Sequence, residues 1–103
     1  MYSNILAPTD GSDRAEAAIE EAADLAAVCD ARVHGLFVTD SGPLEHIDGK
    51  YPQAVSDIRR LGEEAVERVA TAGADRGVET TTAVMSGTVH RAIADYVDDN
   101  DID

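Results

Sequence analysis

Apolar positions switch between two rhythms along this chain. Ile5, Leu6 and Ala7 form a short continuous apolar run that stops at Pro8. From Asp13 to Cys29 the apolar set Ala15, Ala18, Ala22, Leu25 and Cys29 recurs at steps of three and four. The first pattern is that of a strand covered on both faces, the second that of one face of a helix. The alternation repeats. Arg32 to Val38 is nearly continuous apolar sequence and predicts a second strand. Ile58, Leu61, Ala65, Val69 and Ala72 stripe a second helix from Pro52 or Gln53 to Ala74. The β-branched run from Val78 to Met85 predicts a third strand. Its threonines point to a less apolar face or a sheet edge. Val89, Ala92, Ile93, Tyr96 and Val97 stripe a third helix from Val89 to Asp98, and Ile102 reads as the start of another apolar strand. The order β-α-β-α-β-α predicts an α/β domain with a parallel sheet and right-handed crossovers.

The junctions carry the candidate chemistry. Pro8 cannot donate to a strand ladder and marks the end of the first strand. Gly11 permits a sharp turn, and Ser12 or Asp13 caps the helix that follows. Parallel sheets bind ligands beyond the carboxyl ends of their strands, which is where Pro8, Thr9 and Asp10 fall. Asp10 offers a carboxylate acceptor and Thr9 a hydroxyl. Ser86-Gly87-Thr88 reads as a second strand-to-helix turn. The segment from Thr39 to Tyr51 is rich in turn formers and should overhang the same end as Asp10, as a solvated loop or a lid. Glu45, His46 and Asp48 within it match no strong metal-ligand spacing. His34 is expected at the core edge of the second strand and His90 in solvent.

Charge narrows the partners. The 103 residues carry 21 acidic and 8 basic side chains, a formal net charge of −13. Such a surface repels nucleic acid and anionic membranes. The basic residues are arginines apart from Lys50, and an acidic, lysine-poor surface predicts a halophilic setting in which salt screens the repulsion. Cys29 is the single cysteine, so no internal disulfide forms, and its spacing predicts a buried thiol. No transmembrane stretch or leader pattern stands out, which predicts a cytoplasmic protein. The acidic run Asp98-Asp99-Asn100-Asp101 reads as a solvated helix end.

Ile5-Leu6-Ala7-Pro8-Thr9-Asp10-Gly11-Ser12, the strand from Val33 to Asp40, the variable middle loop and Gly87 before the third helix together resemble the universal stress protein family over essentially the whole chain. The resemblance implies a Rossmann-like or flavodoxin-like fold with strand order 3-2-1-4-5, of which 3-2-1 is present here, and helices on both faces. It implies binding of an adenine nucleotide, ATP first and AMP or ADP as alternatives, and a homodimer. Carried over by position, Pro8, Thr9 and Asp10 match first-strand nucleotide contacts, and Val38 matches the adenine contact at the end of the second strand.

One departure bears on function. Nucleotide-binding members carry a later Gly-x2-Gly-x9-Gly-Ser/Thr motif, whose amides hold the phosphates and with them Mg2+. No glycine follows Gly87 here. The chain is therefore expected to be a single, C-terminally incomplete domain of this kind, with its first-strand edge left open. The leading expectation is an ATP-binding stress-response regulator or sensor with no catalytic residues beyond slow hydrolysis. The alternative is a nucleotide-independent interaction module. An α-hydrolase-like activity is disfavoured, since Thr9-Asp10-Gly11-Ser12-Asp13 places an acid where a phosphate would sit.

Overall fold

A computed structural model describes residues 3–40 and 52–103 of the chain. From residue 41 to 51 the predicted loop, with its Glu45, His46 and Asp48, lies outside the described residues, while Thr39 and Asp40 belong to a strand. Three parallel strands, β1 (Asn4–Pro8), β2 (Arg32–Asp40) and β3 (Thr80–Gly87), form one sheet in the order β1-β2-β3. Ala7 pairs with Gly35, and Gly35 with Thr82. Three helices complete the described residues: α1 (Asp13–Cys29), α2 (Pro52–Ala74) and α3 (Val89–Asp99). α1 and α2 lie together on one face of the sheet, and α3 packs on β2 and β3 from the other. This is the expected 3-2-1 arrangement with helices on both faces.

The buried stripe of α1 is not the predicted one. Ile19, Ala23 and Ala26 are buried, while Ala18 is exposed and Leu25 is 42% exposed. The helix holds seven alanines, so several stripes of similar apolarity run along it. Docking against β1, β2 and α2 turns the side with Ile19 inward. Cys29 is only partly buried, at the margin of the cluster formed by Ala7, Ile19, Ala23, Val33 and Val69. On α2, Leu61 is 59% exposed and Gly62 takes the inner position beside Phe37. A residue without a side chain lets the helix approach an aromatic ring that a leucine would push away.

Two further boundaries move. β2 runs on to Asp40, so it offers partners to Ser86 and Gly87, which end β3 in place of forming a turn. Thr88 then takes the N-cap position of α3 without a side-chain cap bond. At the other end of the sheet, the Asp103 amide donates to the Asn4 carbonyl at 3.0 Å, and the Asp103 carboxylate accepts from the Asn4 amide at 2.8 Å. These bonds seat Asp103 beside the start of β1.

Candidate functional site

β1 leads straight into the turn that builds the site. The Thr9 amide donates to the Leu36 carbonyl at 2.9 Å, which extends the ladder one residue beyond Pro8. Thr9 is buried, and its Oγ1 accepts from the Gly11 amide at 3.0 Å. Gly11 has φ 83°, a conformation that a side chain would strain. Asp10 Oδ1 accepts from the Ser12 amide at 2.9 Å, and Ser12 Oγ accepts from the Ala15 amide at 3.2 Å. Each side chain therefore satisfies a backbone donor two or three residues on, and α1 starts in a fixed direction. Arg68 of α2 donates to the Gly11 carbonyl at 3.3 Å and ties the turn to its neighbour.

Asp10 is exposed. Hydrogen bonding from the Ser12 hydroxyl, then from the Ser12 amide, holds its carboxyl below the ordinary value, and the nearby Arg14 guanidinium acts in the same direction. The group is thus an ionised acceptor at neutral pH.

The four residues singled out from the sequence, Pro8, Thr9, Asp10 and Val38, line one cleft of 410 Å³ at the carboxyl ends of β1 and β2. Ser12, Ala15 and Ala18 of the turn and α1 also line it, and sequence reasoning did not assign Arg14, Leu36, Val89 and Ile93 to the site. Arg14 contributes a positive charge from the first turn of α1, and it was legible as the one basic residue of that helix. Leu36, Val89 and Ile93 make the wall apolar. Their hydrophobicity was legible. Their place was not, because α3 reaches the cleft only by folding across the sheet from distant sequence. The first turn of α1 holds Asp13 and Glu16, so its positive end is already compensated.

A second polar cluster lies deeper on the α3 face. His34 is 5% exposed, its Nδ1 is 2.7 Å from the Tyr96 hydroxyl, and its Nε2 is 3.0 Å from Asn4 Oδ1. The Asn4 oxygen only accepts, so Nε2 carries the proton and Nδ1 accepts from Tyr96. Burial lowers the His34 pKa, and the Arg32 charge adds to the effect. His34 is a satisfied core histidine, and His90 is exposed, both as expected.

The sequence model of the universal stress protein family matches residues 1–103. The chain belongs to the universal stress protein family. A universal stress protein from Methanocaldococcus jannaschii is 27% identical over 100 residues, covering 95% of this chain; the chain spans 59% of that relative's length. Among solved structures, the hypothetical protein MJ0577, whose biochemical function was assigned from its structure, superposes with a TM-score of 0.84. It is 22% identical, with 100% of this chain and 72% of that one covered. A universal stress protein solved in complex with cAMP superposes with a TM-score of 0.67 at 22% identity, covering 99% of this chain and 68% of that one. These likenesses show the fold. Among the described residues no cluster of His, Cys, Asp and Glu could hold a metal ion, and no helix is long and apolar enough to cross a membrane.

Proposed function

We propose that this universal stress protein holds an adenine nucleotide, ATP in the first instance, in the cleft at the ends of β1 and β2, and that it works as a stress-response sensor or regulator. The observation that carries the reading is the meeting of Thr9 and Asp10 with the apolar wall of Leu36, Val38, Val89 and Ile93 in one cleft. Acceptors beside an apolar wall suit a ribose and a purine ring. In this arrangement Asp10 accepts from a nucleotide hydroxyl, and Val38 lies against the base. A family structure solved with cAMP supports the ligand class. The charge of −13 supports a high-salt setting and leaves little welcome for nucleic acid or membranes.

The phosphates are less well served. Among the described residues, Arg14 is the one basic residue lining the cleft, and it stands among Asp10, Asp13 and Glu16. The base and sugar therefore supply most of the binding to these 103 residues. Titration calorimetry with ATP, AMP and adenosine is the test. The expected outcome is weak binding in which ATP gains little over adenosine, with Asp10→Ala weakening adenosine roughly tenfold. Equal affinity of the variant rejects the role of Asp10. The same acidic surroundings favour the second reading, a nucleotide-independent interaction module, and an absence of adenosine binding would select it.

A further inference from the structure

The two outer strands of the sheet are guarded very differently. β1 is five residues long, ends in Pro8, and has Asp103 seated beside its start. β3 is eight residues long, Thr80 to Gly87, with no charge and no proline. Natural proteins blunt exposed strand edges with short length, proline, charge or a bulge. β3 has none of these, and among the described residues no strand lies beyond it. The Val33 amide donates to the Glu79 carbonyl at 3.0 Å. Alternation along the strand then turns the backbone groups of Thr80, Thr82 and Val84 away from β2.

A groove of 430 Å³ runs along that edge between β3 and α2. Val66 and Ala70 form its apolar floor, Thr82 and Val84 its strand side, and Glu63 and Glu67 its rim. Both glutamates are exposed, and neither joins an ion pair among the described residues. They stand one helical turn apart, about 6 Å between their Cβ atoms. Alternate side chains on one face of an extended strand repeat at about 7 Å. Two successive same-face cations can therefore meet both carboxylates.

We propose that the β3 edge and this groove dock an extended segment of a partner protein, with Lys or Arg at alternate positions, added to the sheet as a further strand. Backbone hydrogen bonds to Thr80, Thr82 and Val84 supply the pairing, and the glutamates select the charge. A second copy of this chain is a poor occupant. It would bring the same two glutamates to the contact on a chain of net charge −13. The docking site is separate from the cleft and does not depend on nucleotide binding.

The test uses a fluorescein-labelled hexapeptide alternating lysine and valine, with both ends blocked. Its controls are a block peptide of three lysines then three valines, and a fully N-methylated copy of the alternating peptide. Anisotropy at physiological salt is expected to show the alternating peptide binding at least about tenfold tighter than either control. Glu63→Lys combined with Glu67→Lys should lower its affinity by about tenfold or more. Hydrogen exchange should slow at Thr82 and Val84 when the peptide is present. Thr82→Pro removes one outward donor without touching the ladder to β2, and should weaken binding while the circular dichroism spectrum is kept. If that variant unfolds, the N-methylated peptide decides. Equal binding of either control, or protection only outside β3, overturns the proposal as diffuse charge attraction. Protection of Thr82 and Val84 that grows with protein concentration alone overturns the choice of occupant in favour of a second copy.

Discussion

The two faces of β2 solve the burial problem in opposite ways. Toward α1 and α2 the strand presents Val33, Gly35 and Phe37, and the contact is close and apolar. A Cβ built on Gly35 would lie 2.8 Å from Val69 Cβ, nearer than side chains tolerate. Toward α3 the strand presents His34, Leu36 and Val38. There Tyr96 meets His34 edge to face, with ring centroids 5.6 Å apart and planes at 75°. One face is fixed mainly by shape, its buried polar residue Thr39 donating to the Met85 carbonyl and Ser86 Oγ at the far end of the strand. The other is fixed by a chain of hydrogen bonds through Tyr96, His34 and Asn4, and its apolar continuation through Leu36 and Val38 becomes the wall of the cleft. Such a polar network sets α3 in one position, and α3 in turn brings Val89 and Ile93 to the site.

Volume changes should separate the faces most strongly. Leu36 is 1% exposed, so Leu36→Ala is expected to lower stability by about 2–5 kcal/mol through lost burial and a residual cavity. On the other face the damaging change is an addition. Gly35→Ala should cost about 1–3 kcal/mol, because neither the strand backbone nor the β-branched Val69 yields easily. Urea unfolding of both variants, and of Gly35→Ala combined with Val69→Ala, checks this. Recovery in the double variant and none when Val69→Ala is paired with Leu36→Ala would confirm that the two faces pack independently; the reverse would break the comparison.

Removing one hydroxyl probes the polar face. Tyr96→Phe keeps the ring but leaves Nδ1 of His34 buried without a donor. The expected loss is about 1–3 kcal/mol, read from the urea midpoint at pH 8. A change within a few tenths would show that packing, and not the hydrogen bond, holds α3.

The smallest effect is the pH dependence of the same network. His34 has a folded pKa below its ordinary 6.5, from burial first and the Arg32 charge second. Between the two values the unfolded chain binds the extra proton and the folded chain does not. Stability contributed by neutral His34 is therefore complete above about pH 6.5 and falls as pH drops through that value. The groups around the ring are Tyr96 from α3, Asn4 from β1 and Arg32 from β2 itself, and Tyr96, raised by burial, stays protonated throughout. Carboxylates titrate nearby in pH, so the measurement is a difference. The melting temperature of wild type minus that of His34→Gln should shrink from pH 8 to pH 5.5. A constant difference would remove His34 from the acid response.

Local order was legible because it rests on local physics. The strand that ends at Pro8, the turn through Gly11, the Ser12 cap and the bounds of α1 follow from a missing amide, a positive φ and a side-chain acceptor within three residues of its donor. Right-handed β-α connections then leave the strand order little freedom, and the convergence of Pro8, Thr9, Asp10 and Val38 follows from that order. Which side of α1 goes inward was not legible. Alanine stripes differ little in apolar area, and only docking against β1, β2 and α2 selected Ile19, Ala23 and Ala26 over Ala18 and Leu25. Leu61 reads as core by spacing, yet the ring of Phe37 requires Gly62 there. The pairing of His34 with Tyr96 spans 62 residues of sequence, and so carries no periodic signal. Sequence by itself determined the elements, their order and the residues gathered at the end of β1. The tertiary structure decided which helical faces are buried, which polar groups find partners and where α3 closes the cleft, because those choices compare surfaces that meet only after folding.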